Sequence, residues 1–274
     1  MFQVSVIVPC YNEEQDIPWC LTDLLSQDYE NMEIIVVDDG STDGTAQVVK
    51  RFMEKNPRLK LFSSGGRRGP ANARNLGAKA SSGEVLIFKD ADAKTPDMHF
   101  VRNLVEPFED SEVQVVLARS YTLIPTSSFL ERSLILSHYG HRLRERGRLP
   151  EAYRRTVLLE VSGFDPRLEF GEDVDLADRV FARQVKVAYT KNPVQVGAEV
   201  RSFKELVERE IWYGNTILSY LRKRRGMLLR MAYPMLYMPA LLGVVLSLIW
   251  KSLLPISLFV LLLLLAYQFW KVAL

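Results

Sequence analysis

The chain has 274 residues, of which 48% are hydrophobic and 25% are charged, and its formal net charge is +2. These values indicate one sizeable globular domain plus a remainder. The net charge by itself says little about partners, and we expect no nucleic acid among them. Two cysteines are too few for a disulfide or metal framework and suit a reducing compartment. The N-terminal apolar run stops at Pro9 without a preceding basic region, so it does not predict a signal peptide.

Short apolar runs rich in β-branched residues alternate with helical patterns in the first part of the chain. Helices are indicated by apolar residues at helical spacing, as at Ile17, Leu21 and Leu24. The predicted strands cover residues 4–8, 33–37, 59–62, 85–89 and 113–118. Strands that alternate with helices predict an α/β fold with a doubly wound, mostly parallel sheet flanked by helices.

Polar residues follow three of these strands. Residues 9–13 follow the first, Asp38 and Asp39 the second, and Asp90 and Asp92 the fourth. Because residues i and i+2 of an extended chain point to the same side, the carboxylates of Asp90 and Asp92 can converge. Two hard oxygen ligands suit Mg²⁺ or Mn²⁺ carrying substrate phosphates. A solvated acidic turn is the alternative for one such pair, but polar clusters at three strand ends favour a ligand site.

The chain lacks the glycine-rich phosphate loops of two common nucleotide-binding classes. Neither G-x-G-x-x-G after the first strand nor G-x-x-x-x-G-K-[ST] is present. A Rossmann dehydrogenase and a P-loop nucleotide hydrolase are therefore disfavoured. The remaining possibility is a nucleotide site in which a metal ion holds the phosphates.

Two groups of charged residues in the second half of the domain each have either a structural or a functional interpretation. Residues 142–155 contain six arginines and form either a solvated or headgroup-facing loop or an anion-binding segment. Glu172 and Asp173 open a predicted helix. The helix dipole favours carboxylates at this position, so capping alone would explain both residues.

The C-terminal part of the chain predicts membrane attachment. Residues 231–250 and 252–270 are uncharged runs, each about as long as a helix that crosses the ~30 Å hydrocarbon core. We predict an α/β domain in residues 1–200, an amphipathic interface segment in 201–229 and a transmembrane hairpin in 230–274. Because positive charge stays cytoplasmic, we expect the α/β domain to face the cytoplasm. A re-entrant first membrane segment is the alternative.

Five motifs, taken in this order, resemble glycosyltransferase family 2. They are V-S-V-I-V-P-C-Y-N-E-E, V-V-D-D-G-S-T-D-G-T, G-P-A-N-A-R-N-L-G-A-K, D-A-D after a strand, and S-G-F-D followed by G-E-D-V-D-L. The resemblance extends from residue 4 to about residue 190. It implies the GT-A fold and an inverting, metal-dependent sugar transfer.

The resemblance also implies roles for individual residues. The residues implied to hold the nucleotide base and ribose are Pro9, Tyr11, Glu13 and one or both of Asp38 and Asp39. Arg74 is implied to lie near the donor, and Asp90 and Asp92 to handle the diphosphate and its Mn²⁺ or Mg²⁺. Asp173, next to Glu172, is implied to be the base that deprotonates the acceptor hydroxyl.

We therefore predict a metal-dependent inverting glycosyltransferase that moves a sugar from a nucleotide-diphosphate donor to a lipid-linked or membrane-proximal glycan. A polyprenyl-phosphate glycosyltransferase is the first alternative. Its acceptor is already an anion, so arginines such as Arg154 and Arg155 would bind the phosphate and no base would be needed. A non-catalytic, membrane-anchored binding protein is a more distant alternative.

Overall fold

The computed structural model of the chain describes residues 1–93, 97–119, 150–168 and 171–193. The strands are β1 (Val4–Cys10), β2 (Met32–Asp38), β3 (Leu59–Ser63), β4 (Val85–Phe88), β5 (Val113–Arg119), β6 (Pro150–Arg154) and β7 (Lys186–Pro193). The helices are α1 (Ile17–Leu25), α2 (Thr45–Met53), α3 (Pro70–Ala80), α4 (Phe100–Val105), α5 (Arg155–Glu160) and α6 (Glu172–Phe181), with a short 3-10 helix at Glu106–Glu109.

The strands form one seven-stranded sheet in the order β3-β2-β1-β4-β6-β5-β7. The first four strands pair in parallel, whereas β6 runs antiparallel to both β4 and β5. β7 returns parallel to β5. The predicted α/β fold is therefore confirmed, and the sheet is mixed because of β6.

Helices cover both faces of the sheet. Val6 and Val8 of β1 belong to one apolar layer, while Ile7 between them belongs to the other, as the alternation of side chains in a strand requires. Buried helix residues include Ile17, Val49 and Phe100 in the first layer, and Ala71, Val157 and Leu176 in the second. β2 is buried along its whole length, as is typical of a strand covered on both faces.

Helix α3 lies directly against β1 at Gly77. A Cβ atom added to Gly77 would stand 2.4 Å from Cγ2 of Ile7 and 3.2 Å from Cγ2 of Val37. Real Cβ contacts are longer than this, so the contact requires glycine. The close approach fixes the position of α3, which carries Arg74 one turn earlier, above the centre of the sheet.

The chain divides into two compact units, Met1–Thr216 and Ile217–Leu274. The predicted interface segment in 201–229 and the predicted transmembrane hairpin in 230–274 lie outside the described residues. Within the ranges given above, no helix has the length and apolar character needed to cross a membrane.

Candidate active site

The carboxyl ends of three neighbouring strands bring most of the predicted site residues together. Cys10 at the end of β1 pairs in register with Asp38 at the end of β2. On the other side of β1, the backbone N–H of Lys89 donates a 3.0 Å hydrogen bond to the carbonyl oxygen of Ile7. The polar segments after β1, β2 and β4 therefore meet at one edge of the sheet, as predicted, where open α/β sheets bind ligands.

The loops after β1 and β2 are joined by hydrogen bonds. The backbone N–H of Asn12 donates to Oγ of Ser41 at 2.9 Å, and the backbone N–H of Thr42 donates to Oδ1 of Asn12 at 2.8 Å. The backbone N–H of Glu13 donates to Oγ1 of Thr45 at 2.8 Å. Asn12 adopts a positive φ of 56°, which asparagine tolerates better than most residues. These bonds hold the segment that carries Pro9, Tyr11 and Glu13 beside the segment that follows β2.

Asp39 uses its carboxylate to hold the loop before α3. It accepts hydrogen bonds from Oγ of Ser64 at 2.7 Å, from the backbone N–H of Arg68 at 3.0 Å and from the backbone N–H of Gly69 at 2.7 Å. The next residue, Gly40, has φ of 81°, and a Cβ there would stand 2.8 Å from the backbone nitrogen of Arg67. The loop therefore packs against the chain after β2, and this packing depends on Asp39 and Gly40.

Asp38 is buried and makes fewer internal bonds. Its Oδ1 accepts a 2.9 Å hydrogen bond from the backbone N–H of Ser41. Both aspartates thus lie where the sequence predicts a nucleotide pocket. Asp39 holds the loop before α3, whereas Asp38 keeps more of its acceptor capacity for a ligand.

Arg67 adds a cation to this pocket that the sequence did not single out. Its guanidinium carbon lies 4.3 Å from the centre of the Tyr11 ring, within the range of a cation–π contact. Tyr11 is one of the residues implied to contact the nucleotide base. No motif marks Arg67, because its position depends on the glycine-rich loop that Asp39 holds.

The D-A-D segment after β4 alternates between buried and exposed residues. Lys89, Ala91 and Ala93 are buried, whereas Asp90 and Asp92 are exposed. The backbone N–H of Ala93 donates a 3.2 Å hydrogen bond to the carbonyl oxygen of Asp90, which closes a turn. The two carboxylates consequently project from the same side of the segment toward solvent, as the spacing predicts.

Several carboxylates lie close together in the site, and burial together with their repulsion raises the pKa values of Asp92 and Glu13. Protein around Asp92 shields it from bulk water although its side chain keeps exposed surface, and this desolvation, with Asp90 and Asp16, raises the pKa of Asp92 to about 6. Burial, followed by the charges of Asp92 and Asp16, raises the pKa of Glu13 to about 8. An added cation would relieve this repulsion.

The donor set fits a divalent cation that a ligand helps to hold. Asp90 and Asp92 offer hard carboxylate oxygens at the exposed end of β4, and Glu13 is close enough to interact with both electrostatically. Over the described ranges, no three His, Cys, Asp or Glu residues are placed to hold a metal by themselves. Two carboxylates completed by substrate phosphates are the usual setting for Mg²⁺, and the residues present fit that arrangement.

Arg74 joins the D-A-D segment to the start of helix α6. Its Nη2 donates a 2.8 Å hydrogen bond to Oδ1 of Asp90, and its Nη1 is in contact with Oε1 of Glu172. The Arg74 side chain is only 12% exposed. Desolvation disfavours its charge, but Asp90, Glu172 and Asp173 outweigh that effect and raise the pKa of Arg74. The guanidinium therefore stays charged and binds both carboxylates.

Glu172 and Asp173 are adjacent but differ in their surroundings. Glu172 is buried, and this burial raises its pKa, with Asp173 adding to the effect and Arg74 opposing it. Asp173 is half-buried, and among the described residues its carboxylate accepts one hydrogen bond, from the backbone N–H of Val174 at 2.7 Å. Of the two predicted catalytic residues, Glu172 is bound to Arg74, whereas Asp173 has oxygen positions left for a ligand proton.

Arg154 and Arg155 do not lie with the other predicted residues. Arg154 donates to the carbonyl oxygens of Val113 and Phe108, each at 2.7 Å. Arg155 donates to the carbonyl oxygen of Gly83 at 2.7 Å, next to the start of β4. Because β6 runs antiparallel to β4, its end lies at the amino edge of the parallel strands, opposite the site. The structure therefore places both guanidinium groups apart from the other predicted site residues, bound to carbonyl oxygens of neighbouring segments.

Comparison with known proteins places most of the described domain in one family. The family model described as Glycosyl transferase family 2 matches residues 5–159. An uncharacterized glycosyltransferase of Haemophilus influenzae is 38% identical over 89 residues, which are 32% of this chain and 36% of that protein. The chain spans between 36% and 39% of the length of the first curated relatives it matches.

Two solved structures share the fold. The TarS fragment 1–349 of S. aureus in complex with UDP-GlcNAc has a TM-score of 0.60 and 23% identity, over 74% of this chain and 60% of that one. The mannosyltransferase PcManGT of Pyrobaculum calidifontis, in complex with GDP-Man and Mn²⁺, has a TM-score of 0.61 and 24% identity. That match covers 98% of this chain and 88% of the other.

Proposed function

This chain belongs to glycosyltransferase family 2, and we propose that it transfers a sugar, with inversion, from a nucleotide-diphosphate donor to a hydroxyl acceptor. Mn²⁺ or Mg²⁺ is the proposed cofactor, held by Asp92 and Asp90. Two structural neighbours support the class of donor, since one was solved with UDP-GlcNAc and the other with GDP-Man and Mn²⁺.

The Arg74 bridge is the observation that carries this proposal. It links Asp90, on the proposed donor side, to Glu172, which directly precedes the proposed base Asp173. Sugar transfer needs a cation that neutralises the leaving diphosphate and a base that takes the proton of the acceptor hydroxyl. These two groups must lie on opposite sides of the anomeric carbon. Through the two terminal nitrogens of one guanidinium, the bridge links exposed Asp90 to Glu172, the chain neighbour of half-buried Asp173.

Each part of the site has a defined task in the proposed reaction. A bound divalent ion supplies charge neutralisation for the leaving diphosphate, typically worth several kcal/mol. Asp38 and Tyr11 bind the nucleoside, and Asp39 holds the loop that encloses it. Asp173 accepts the acceptor's proton as the acceptor oxygen bonds to the anomeric carbon and the bond to the diphosphate breaks. Attack from the side opposite the leaving group inverts that carbon.

A donor screen with the full-length chain tests this function. Melting curves are recorded with Mn²⁺ and either UDP-GlcNAc or GDP-Man, and release of the nucleoside diphosphate is then followed. A ligand at 100 times its Kd stabilises the folded state by about 2.7 kcal/mol, which a melting curve resolves. Stabilisation and metal-dependent nucleotide release are expected with one donor class. Stabilisation without any release would instead support the non-catalytic binding protein.

We further propose that the chain is attached to a membrane through residues 230–274, with its catalytic domain facing the cytoplasm. Two uncharged runs of membrane-spanning length support the attachment. The basic residues in 222–225 precede the first run, which supports the orientation. A lipid-linked or membrane-proximal glycan is the acceptor that suits this location.

A further inference from the structure

Lys89 is a fully buried lysine directly below the proposed metal site. It is 1% exposed and directly precedes Asp90. Lysine is almost never fully buried unless its charge is paired, because removing an ammonium group from water is costly. Nothing in the proposed reaction so far uses this residue.

The Lys89 ammonium group closes the D-A-D turn from inside the protein. Its Nζ donates a hydrogen bond to the carbonyl oxygen of Ala93. The backbone N–H of the same residue is bound to β1 through Ile7. Together with the bond between Ala93 and Asp90, these contacts fix both ends of the five-residue segment that carries the two carboxylates.

The charge of Lys89 also acts on the groups above it. It lies close enough to Asp92 to attract that carboxylate. On the other side of the turn, Arg74 is bound to Asp90. The turn is therefore held by a cation on each side, by Arg74 at the Asp90 carboxylate and by Lys89 at the Ala93 carbonyl oxygen.

We propose that Lys89 is a positioning residue that holds the D-A-D turn, and hence the metal-facing oxygens of Asp92, in one arrangement before the ion arrives. The proposal rests on the proposed function of the site. Without the buried ammonium, the turn would lose its link to the Ala93 carbonyl. It would also lose a positive charge beneath the two carboxylates. Groups that orient metal ligands typically contribute about 10–100-fold to metal affinity.

Binding of Mn²⁺ to the full-length chain in the presence of UDP tests this role. Free and bound Mn²⁺ are measured by electron paramagnetic resonance for the wild type and for Lys89→Met, which keeps the apolar stem and loses the ammonium group. We expect Mn²⁺ affinity to fall about 10–100-fold in the variant. UDP binding measured with a chelator should change less than twofold. In turnover, the Mn²⁺ concentration for half-maximal rate should rise by the same factor, while kcat at saturating Mn²⁺ is largely retained.

Lys60→Met is the matched control. Lys60 forms a 2.7 Å ion pair with Glu33 on the neighbouring strand β2, near the amino end of that strand and thus away from the edge that carries the D-A-D turn. Its loss should leave Mn²⁺ affinity unchanged, whatever its effect on the melting temperature. Lys89→Gln provides a second test that keeps a hydrogen-bond donor without the charge, and it is decisive where Lys89→Met does not fold.

The outcomes separate the inference from the proposed function. A wild-type chain that binds no Mn²⁺ with UDP would remove the metal-dependent function itself. A wild-type chain that binds Mn²⁺, with a folded Lys89→Met or Lys89→Gln variant within twofold of its affinity, would overturn the positioning role alone. Lys89 would then be a structural residue only.

Discussion

Arg74 and Asp90 are joined by a 2.8 Å hydrogen bond that ties helix α3 to the turn after β4. The same guanidinium contacts Glu172 at the start of α6. One buried side chain therefore sets the relative position of the proposed donor-side and acceptor-side carboxylates. Changes at Arg74 should consequently affect both stability and catalysis.

Replacing Arg74 should destabilise the domain strongly. Arg74→Met leaves Glu172 buried without its ion partner, and removing one partner of a buried pair costs about 3–5 kcal/mol. Chemical denaturation measures the loss. Arg183→Met is the control, since both side chains of the ion pair between Arg183 and Glu160 are exposed and such a pair is worth about 0–1 kcal/mol. Equal losses in the two variants would contradict the buried bridge.

Asp173→Asn should lower catalysis without weakening donor binding. An amide cannot accept the acceptor's proton, and a positioned base typically contributes about 10²–10⁴-fold to the rate. Single-turnover kinetics and donor titrations separate the two effects. Asp178→Asn, at an exposed position of the same helix, should leave kcat unchanged. Full transfer by Asp173→Asn would point to an acceptor that is already an anion, as in the polyprenyl-phosphate alternative.

Glu13 should make the metal-free protein less stable as the pH rises. Its pKa is about 8 in the folded state, against an ordinary value of 4.5. Between these values the folded state keeps a proton that the unfolded state has lost. Stability therefore falls as the pH rises through this window, and the loss is complete above the folded-state pKa.

Denaturation of Glu13→Gln with a chelator at pH 5, 7 and 9 checks this sign. The variant should gain stability relative to the wild type as the pH increases, because it carries no ionisable group at this position. Glu30→Gln, at an exposed position, should show no such trend. A difference between Glu13→Gln and the wild type that does not vary with pH would refute the elevated pKa.

Asp39→Asn should loosen the loop before α3. The NH₂ group of asparagine is a donor, so it cannot accept the hydrogen bonds that Oδ2 of Asp39 receives from the backbone N–H groups of Arg68 and Gly69. A buried polar group left without a partner costs about 1–3 kcal/mol. Hydrogen exchange should show faster exchange in residues 64–69. Asp38→Asn, which affects a single internal bond to Ser41 in the described structure, is the comparison and should change this loop less. Unaltered exchange in Asp39→Asn would mean that the loop is held by other contacts.

A cysteine at position 274 tests the proposed membrane hairpin. Cys10 and Cys20 are buried, so labelling of Leu274→Cys in sealed vesicles should have little background. A hairpin returns the C-terminus to the cytoplasmic side, where the label should react. Reaction from the opposite side alone would establish the re-entrant alternative.

Much of the site could be predicted because its residues follow strands that are easy to recognise. The continuous apolar runs of β1, β2 and β4 mark buried parallel strands, and the carboxyl ends of such strands meet at one edge. The positions of Asp38, Asp90 and Asp92 after these strands therefore predict that they lie together, whereas a nucleotide-binding role for Asp38 is implied only by the family resemblance. The assignment of Asp173 depended on the family resemblance, since a helix start explains a carboxylate without any catalytic role.

Residues positioned by long-range contacts were not predictable in the same way. The sequence P-E-A-Y-R of β6 has no clear strand period, and its pairing between β4 and β5 is fixed by the buried Ala152 and Tyr153. Its antiparallel direction takes Arg154 and Arg155 away from the site. The high density of arginines in residues 142–155 suggests anion binding. In the structure, the guanidinium groups of Arg154 and Arg155 instead bind carbonyl oxygens of neighbouring segments.

The contact between Gly77 and Ile7 limits how this enzyme can be re-engineered. A mutant library aimed at a new sugar preference gains nothing from diversity at Gly77, because any side chain there displaces the helix that carries Arg74. Arg67 is exposed and lies over Tyr11, so variation there alters the pocket without disturbing the sheet. Randomisation should therefore concentrate on positions next to Tyr11, such as Arg67, and leave the contact between Gly77 and Ile7 unchanged.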